Sequence, residues 1–367
     1  MKRLLITTTI NDPAGLEEWA AQLQPEDYVV IAGDRKTPHE AVVARCNQIT
    51  TRYGVNTLYL APDAQRIWNV SGWLGWNCIQ RRSIALLEGL RTVPDADYII
   101  TVDDDNFPSP DWVATVDDIF SGMSVAPIAS DDIHIHDRWF NAASILLPEV
   151  SHRGLPLDVR HRNWRDIEER VSDRSPEQRT GVFASLWLGE PDIDAVERIC
   201  CAPQVTGMRD LYSVALGEGT WCPFNSQATA FLRCLAPAQL MWPHVGRYDD
   251  IWASYLTQAV MAGTGLIVEY GEPLVRQDRN PHDLLVDLGH EMFGMVHNNE
   301  VIDVLRTVMN YVSPTDMSIV ERVRYAFAQL SKLSFFDTQT YRAFLTWADD
   351  IDHLTQRYGV TFEVSNA

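Results

Sequence analysis

Basic residues and cysteines are scarce in this sequence. The 367 residues include 30 lysines and arginines against 50 aspartates and glutamates, which gives a formal net charge of −20. This charge argues against binding to nucleic acid or to an anionic membrane surface. An anionic ligand therefore needs local compensation from a metal ion or from a few arginines. The 6 cysteines include no Cys-x-x-Cys pair, which argues against a disulfide framework and predicts reduced thiols in a cytoplasmic protein.

Long apolar runs are also missing. No segment approaches the ~20 consecutive apolar residues of a membrane helix, so no membrane span is predicted. The stretch Leu4–Ile6, which follows the basic N-terminal residues, is too short for a secretory signal. A chain of this length can hold one large α/β domain with an appendix. We predict the domain over residues 1–296 and a C-terminal helical extension, available for an oligomer contact, over residues 297–367.

Strands and helices alternate through the N-terminal part of the chain, as in a mainly parallel sheet with helices on its faces. The predicted strands are Arg3–Ile10, Tyr28–Ala32, Leu58–Leu60, Tyr98–Val102, Met123–Ile128 and Ile267–Tyr270. Phe183–Leu188 and Val214–Leu216 are further apolar runs, and a small-residue turn at Gly219–Asn225 leads to Ala228–Leu232. The predicted helices are Gly15–Gln24, Asn77–Arg91, Asp111–Phe120, Gly246–Met261, Val301–Val312, Pro314–Leu333 and Thr338–Tyr358. Ser151–Arg179 is polar and rich in arginine, and it predicts a long surface connection with a helix at Trp164–Val171.

Three aspartates, Asp103 to Asp105, directly follow the apolar, β-branched strand Tyr98–Val102. Adjacent carboxylates repel one another unless a positive group lies between them. A divalent cation with oxygen ligands suits such a cluster, and ligands of open α/β sheets bind beyond the carboxyl ends of strands. The alternative is a solvated acidic turn that precedes the next helix.

Two further segments carry candidate residues. Arg81 and Arg82 fall in the first turns of a predicted helix, where cations oppose the helix dipole unless an anion is near. They are either phosphate contacts or surface arginines. Asp249 and Asp250 begin another predicted helix, where acids are favourable with the dipole. They are either helix N-terminal acids, or one of them is a general base or a contact to sugar hydroxyls.

A pair of histidines, His134 and His136, has the alternating spacing of one strand face. With no further ligands near them in the sequence, surface or core histidines are favoured over a zinc site.

Several segments in this order resemble the UDP-arabinopyranose mutase family, also called reversibly glycosylated polypeptides. The resemblance covers roughly residues 3–295, and it rests on Ile99–Asp105, Ser185–Leu188, Pro191–Ala195, Gly219–Thr220 and Gly246–Ala253. It implies the GT-A glycosyltransferase fold. It also implies that Asp103 and Asp105 bind Mn²⁺ or Mg²⁺, which bridges the diphosphate of a nucleotide sugar.

The resemblance implies roles for further residues. Asp34, after the second strand, matches a position expected to contact the base or ribose. Asp249 and Asp250 lie where GT-A enzymes place the acid that faces the acceptor or the sugar. The candidate nucleotide-sugar contacts are Thr8, Asp34, Arg81, Arg82, Asp104 and Arg247.

The sequence departs from the family pattern in two places. Plant mutases carry an Arg-Gly-Tyr-Pro-Phe-Ser segment whose arginine becomes glycosylated. The corresponding stretch near Glu168–Ser175 lacks that string, although Arg165, Arg170 and Arg174 lie close by. A metal-site histidine is expected near residues 276–281, and Asp278 and His282 are the candidates for that position.

The first prediction from these observations is a metal-dependent glycosyltransferase that uses a nucleoside-diphosphate sugar, expected to be a UDP-sugar, and an unknown acceptor. The second is a UDP-sugar pyranose/furanose mutase. The third, from another functional class, is a non-catalytic partner or self-glycosylated carrier.

Overall fold

The computed structural model describes residues 1–129, 139–160, 171–209, 212–277, 283–313 and 315–364. The chain divides into two compact units, here called the first and the second unit. The first comprises Met1–Phe107, Ser226–His244 and Met317–Ala367, and the second Pro108–Asn225 and Val245–Asp316. The predictions for His134, His136, Asp278, His282 and residues 161–170 fall outside the described residues.

Strands and helices are distributed over both units. The strands are β1 (Arg3–Thr9), β2 (Tyr28–Gly33), β3 (Asn56–Leu60), β4 (Tyr98–Val102), β5 (Asn106–Pro108), β6 (Ile128–Ala129), β7 (Leu146–Leu147), β8 (Val171–Ser172), β9 (Arg179–Gly189), β10 (Gly207–Met208), β11 (Ser213–Leu216), β12 (Ala228–Leu232) and β13 (Leu266–Gln277). The α-helices are α1 (Leu16–Ala20), α2 (His39–Tyr53), α3 (Arg82–Thr92), α4 (Trp112–Asp118), α5 (Ala195–Cys200), α6 (Asp249–Met261), α7 (Leu284–Val312), α8 (Ile319–Leu330) and α9 (Thr338–Tyr358).

The sheet of the first unit has the strand order β3-β2-β1-β4-β12. The first four strands are parallel, and β12 runs antiparallel to β4. Leu4 pairs with Tyr28 of β2 and with Ile99 of β4. All residues of β1 and β4 are buried, as expected for strands of a covered parallel sheet. The carboxyl ends of β1, β2 and β4 therefore lie at one edge of this sheet, which places the acidic triplet there.

Helix α3 packs tightly on this sheet. All its residues from Arg82 to Leu90 are buried, and a Cβ on Gly89 would lie 2.6 Å from a methyl carbon of Leu4. The predicted helix Asn77–Arg91 is confirmed from Arg82 onward. Its predicted start was wrong, because Asn77 has a φ of 56°, Cys78 is extended and the 3₁₀ turn Ile79–Arg81 precedes α3.

The C-terminal helices α8 and α9 belong to the first unit. The side chain of Ser318 and that of Glu321 form a capping box at α8, and Phe327 stacks on Phe344 of α9 with ring centroids 4.3 Å apart. The predicted helical C-terminal segments are thus confirmed. The predicted boundary between residues 296 and 297 falls inside α7, which continues through it without a break.

The sheet of the second unit is mixed. Strand β13 is parallel to β9 and antiparallel to β11, and β6 is parallel to β11 and antiparallel to β8. The strands and helices of the two units confirm the predicted mixed α/β class. Within the described part of the chain, no helix combines the length and the apolarity needed to cross a membrane.

Some predicted boundaries in the second unit were wrong. The strand predicted at Met123–Ile128 is only Ile128–Ala129. Residues 119–123 form a π-type turn in which Gly122 has a φ of 82°. Pro127 has no backbone N–H with which to extend the strand's hydrogen bonds. Helix α7 begins at Leu284 rather than at Val301, because the Asp283 side chain accepts hydrogen bonds from the amides of the first turn.

The surface connection predicted over Ser151–Arg179 was wrong for residues 152–156, which are buried, whereas residues 171–179 are exposed or half-buried as predicted. His152, Arg153 and Leu155 are buried, and the predicted helix ends in what is strand β8. Arg153 is buried because carboxylates neutralise its charge, as described below. Polar composition alone could not reveal those partners.

Candidate functional site

Threonine hydroxyls connect the carboxyl ends of the strands in the first unit. Thr7 Oγ1 donates to the carbonyl of Val102 at 2.8 Å, and Thr8 Oγ1 donates to that of Ala32 at 2.7 Å. Thr9 Oγ1 lies at the same edge and donates to the Asp104 carboxylate. The hydroxyl of the predicted ligand contact Thr8 is thus occupied by strand β2, and its nucleotide role stays a prediction.

A buried arginine accompanies the acidic triplet. Arg82 is 2% exposed, and its Nη2 donates to Oδ1 of Asp103. Its Nη1 donates to the carbonyl and the hydroxyl of Ser226 at 2.7 and 2.8 Å. The first unit therefore brings together two predicted site residues, Arg82 and Asp103. The guanidinium supplies the positive charge that the carboxylates need.

Asp104 lies between two other carboxylates and is largely shielded from water. Burial and, after it, the charge of Asp103 raise the pKa of Asp104, while the hydrogen bond from Thr9 opposes that rise. Protein contacts therefore hold both Asp104, through Thr9, and Asp103, through Arg82.

The carboxylate oxygens of the acidic triplet are suitable ligands for a divalent cation that also binds a diphosphate. Carboxylate oxygens are hard ligands, and Mg²⁺ is commonly held by one or two carboxylates together with substrate phosphates. Among the described residues, no group of three or more His, Cys, Asp or Glu side chains is arranged to hold a metal alone. The residues of this chain that would hold the ion are Asp103 and Asp105, and the third-ligand candidates Asp278 and His282 lie outside the described residues.

Asp34 is fully buried at the end of β2. Its Oδ1 accepts from the amide of Arg35 at 2.7 Å, and its Oδ2 accepts from the amide of Cys78 at 3.0 Å. The side chain thus ties the loop after β2 to the segment before α3. Both carboxylate oxygens of Asp34 already accept a hydrogen bond from the backbone. The contact of Asp34 with the base or ribose stays a prediction.

Arg81 is fully buried and organises the tryptophan-rich loop before it. Its guanidinium donates to the carbonyls of Ser71, Leu74 and Gly75 at 3.1, 2.9 and 2.7 Å, and its Cζ lies 3.4 Å from the ring centre of Trp76. Burial lowers the pKa of Arg81 to about 10. In this conformation Arg81 stabilises the loop, and its predicted phosphate contact stays a prediction.

In the second unit, Asp249 and Asp250 form the first turn of α6. They are 4% and 9% exposed, and the amide of Asp250 donates to Oδ1 of Asp249 at 3.0 Å. Burial and the charge of Asp250 raise the pKa of Asp249 to about 7. A carboxyl group with that pKa can both donate and accept a proton near neutral pH.

Gly246 sets the path of the chain into this turn. Its φ is +65°, and a Cβ on it would lie 1.9 Å from the carbonyl oxygen of His290 on α7. A side chain is therefore excluded both by the left-handed backbone conformation and by the packing of α7.

We expect Gly246→Ala to lower the free energy of unfolding by about 3 kcal/mol or more, because it adds an overpacking cost to backbone strain. Urea denaturation measures this change. Gly289→Ala is the matched control, since a Cβ at this position of α7 meets nothing within 4 Å, and alanine there should add about 0.5–1 kcal/mol of stability. Equal effects of the two substitutions on the free energy of unfolding would contradict the requirement for glycine at position 246.

Sequence reasoning missed the residue that organises these acids. Arg153 Nε lies 3.0 and 3.1 Å from the two carboxylate oxygens of Asp192, and its Nη2 lies 3.2 Å from both oxygens of Asp250. Its Nη1 donates to the carbonyl of Arg247. Asn225 Nδ2 also donates to Asp192 at 2.8 Å. One sequence signal was Asp192 in a family motif. A second, which sequence reasoning also missed, was Arg153-Gly154-Leu155-Pro156, which shares Arg-Gly-x-Pro with the plant mutase segment.

Arg247, another predicted ligand contact, forms ion pairs with α7. Its Nε donates to Oε1 of Glu291 at 3.1 Å, and its Nη1 lies 3.5 Å from Oδ1 of Asp287. The second oxygen of Glu291 accepts from the amide of Ala195 at 2.8 Å. The Arg247 side chain is 27% exposed, and its role toward phosphate or sugar stays a prediction.

The sequence of this chain is similar to those of plant UDP-arabinopyranose mutases. The chain is 24% identical over 366 residues to a probable UDP-arabinopyranose mutase 1 of Solanum tuberosum, covering 95% of this chain and 90% of that protein. It is 24% identical to UDP-arabinopyranose mutase 2 of Arabidopsis thaliana, covering 95% of this chain and 91% of that protein. The predicted resemblance to the UDP-arabinopyranose mutases is thus confirmed along nearly the whole chain.

No family model matches the sequence. Among solved structures, the chain is similar to residues 1–349 of TarS of S. aureus, with a TM-score of 0.36 and 9% identity, covering 98% of this chain and 91% of that one.

Proposed function

We propose that this protein is a UDP-sugar mutase that interconverts the pyranose and furanose forms of the sugar. The observation that carries the proposal is the similarity to UDP-arabinopyranose mutases over 95% of the chain. The acidic triplet at the carboxyl edge of the first sheet supports it, because ligands of α/β sheets gather at that edge. The relatives thus favour the second of the sequence-based predictions over the first, the transferase.

The proposed reaction breaks the bond between the anomeric carbon and the diphosphate oxygen, and the electron pair leaves with UDP. A bound Mn²⁺ or Mg²⁺ would supply positive charge to that diphosphate. Asp103 and Asp105 would hold the ion, and Arg82 would keep Asp103 oriented through its ion pair. A different sugar hydroxyl then forms a bond to the anomeric carbon, and the bond between that carbon and the old ring oxygen breaks. The diphosphate oxygen finally donates its electron pair back to the anomeric carbon of the new ring.

The change of ring size also moves protons. One proton goes onto the old ring oxygen, and one leaves the hydroxyl that closes the new ring. A single carboxylate that first accepts the proton of the attacking hydroxyl and then gives it to the departing ring oxygen is sufficient for both transfers. Asp249 and Asp250 are the proposed acid–base residues, and the raised pKa of Asp249 supports this role.

Incubation with UDP-arabinopyranose and Mn²⁺, without any acceptor, tests the proposal. We expect UDP-arabinofuranose to accumulate until both forms are at equilibrium, as measured by chromatography. Asp249→Asn should lower the rate by about 100-fold or more, because it removes a proton-transferring group. Asp303→Asn on the exposed part of α7 is the control and should leave the rate unchanged.

A second candidate is transfer of the sugar to an unidentified acceptor, which the acidic triplet after β4 also suits. Slow hydrolysis of the UDP-sugar without ring interconversion would favour this transferase. Binding of UDP-sugar with neither reaction would favour the non-catalytic partner. The cytoplasmic location and an oligomeric assembly stay predictions.

A further inference from the structure

We propose that Asn106 is a further residue of the cation site at the acidic triplet: its side-chain amide oxygen accepts a hydrogen bond from a water molecule on the bound Mn²⁺ or Mg²⁺. This inference rests on the proposed function, because it needs the cation that Asp103 and Asp105 would hold. It adds to that site an uncharged side chain, which directly follows the triplet in the chain.

Asn106 closes the turn that the acidic triplet forms. Its backbone amide donates to the carbonyl of Asp103 at 3.4 Å, so Asp103 and Asn106 are the first and the last residue of a four-residue turn. The Cα atoms of two such residues lie within about 7 Å of each other. The side chain of Asn106 is therefore close to the carboxylates, although it is completely buried.

The segment before β12 fixes the orientation of the Asn106 amide group. Nδ2 of Asn106 donates to the carbonyl of Gln227 at 3.0 Å, and the backbone amide of Asp103 donates to the same carbonyl at 3.0 Å. An amide nitrogen donates whereas an amide oxygen only accepts, so the nitrogen must be the atom that faces Gln227. Asn106 thus lies directly beside the backbone of Asp103, and the position of its oxygen is defined.

The oxygen of this amide group has no hydrogen bond. Oδ1 of Asn106 is shielded from solvent, and no donor reaches it from the part of the chain that the structure describes. Leaving a buried acceptor without a donor is unfavourable, and such groups usually have an ordered water molecule or an ion as their partner. Asn106 Oδ1 therefore indicates a small polar guest beside the triplet.

The surroundings of Asn106 favour water over a bare cation as this guest. Arg82, whose guanidinium donates to Asp103, has an Nε that is also buried without an acceptor. A bare cation would be repelled by that guanidinium. A water molecule both accepts and donates hydrogen bonds, so it suits the orphaned nitrogen of Arg82 as well as the orphaned oxygen of Asn106.

A hydrated cation supplies such a water. Mg²⁺ bound by one or two carboxylates keeps several water molecules, and a water on a divalent ion is a strong hydrogen-bond donor because the ion withdraws electron density from it. Side chains that hydrogen-bond to the ligands of a metal contribute about 10–100-fold to its affinity. Asn106 is therefore expected to strengthen cation binding without touching the ion.

Two substitutions separate this role from a purely structural one. Both Asn106→Asp and Asn106→Leu remove the Nδ2 donor to Gln227, but only the aspartate keeps an oxygen at the position of Oδ1. Titration calorimetry with UDP at a series of Mn²⁺ concentrations gives the apparent dissociation constant of the cation. We expect Asn106→Leu to raise this constant by about 10–100-fold, and Asn106→Asp to leave it within about threefold of the wild type or to lower it.

Several results would overturn the proposal. Equal weakening of Mn²⁺ binding in both variants would show that Asn106 acts only through its bond to Gln227. An unchanged dissociation constant in Asn106→Leu would show that the amide oxygen has no role. If Asn106→Leu does not fold, the smaller Asn106→Ala takes its place in the comparison, with the same expected weakening.

Asn56 provides the matched control. Its Nδ2 also donates to a backbone carbonyl, that of Pro25 at 2.9 Å, and Asn56 begins β3, so it lies at the amino end of its strand. Asn56→Leu should leave the Mn²⁺ dissociation constant unchanged. A change as large as that in Asn106→Leu would mean that the effect comes from general loss of stability.

The same titration separates this inference from the proposed function, because it needs no turnover. A protein that shows the expected Mn²⁺ affinities but converts no UDP-sugar would retain the role of Asn106 and lose the mutase assignment. An active mutase in which Asn106→Leu binds Mn²⁺ like the wild type would do the reverse.

Discussion

Asp105→Ala is expected to abolish the part of UDP binding that depends on Mn²⁺. Loss of one carboxylate from a charged site costs about 3 kcal/mol, or roughly 100-fold in affinity. Titration calorimetry with UDP, in the presence of Mn²⁺ and again with a chelator, measures both contributions. The wild type should lose affinity when the metal is removed, whereas the variant should bind equally weakly in both conditions.

Two further variants make this experiment specific. Asp95→Ala removes an exposed aspartate of the first unit that pairs with Lys2, and it should leave UDP affinity unchanged. Asp103→Asn keeps an oxygen that can accept from Arg82 but removes a charge, so it should also abolish the metal-dependent part. Unchanged Mn²⁺-dependent binding in Asp105→Ala would show that the triplet is only an acidic turn.

The second large effect concerns Arg81. Arg81→Met should lower the free energy of unfolding by about 3–5 kcal/mol, because it leaves buried carbonyls of Ser71, Leu74 and Gly75 without their charged donor. Urea denaturation measures the change. The affinity for UDP, measured at low temperature where the variant is folded, should remain within about threefold, roughly 0.6 kcal/mol, of the wild type.

Arg66→Met is the matched control for this substitution. Arg66 lies in the same region of the chain, but its side chain is 70% exposed and pairs with the exposed Asp63. Its loss should change stability by less than about 0.5 kcal/mol. If Arg81→Met instead kept its stability and lost UDP affinity, Arg81 would be a phosphate ligand, as the sequence suggested.

The sequence predicted correctly those strands and helices whose formation depends mainly on neighbouring residues. Strand β4 and helix α9 have the predicted bounds, because a β-branched apolar run and a regular helical period are visible in the sequence itself. The acidic triplet was predicted at the edge of the sheet for the same reason. Parallel strands bring their carboxyl ends together whatever the rest of the chain does.

The partners of single buried charges could not be predicted in this way. Arg153 lies 39 residues from Asp192 and 97 residues from Asp250, so its local sequence does not identify either partner. Arg81 and Arg82 look equivalent in the sequence. The structure separates them, because one donates to the backbone of its own loop while the other forms an ion pair with Asp103.

The order in which the first unit is synthesised has a consequence for its folding. Strand β4 is complete at Val102, but its antiparallel neighbour β12 begins only at Ala228, after most of the second unit. At a translation rate of about 5–20 residues per second, β4 keeps one unpaired, apolar edge for roughly ten seconds. A nascent chain stalled before β12 is therefore expected to recruit chaperones or aggregate.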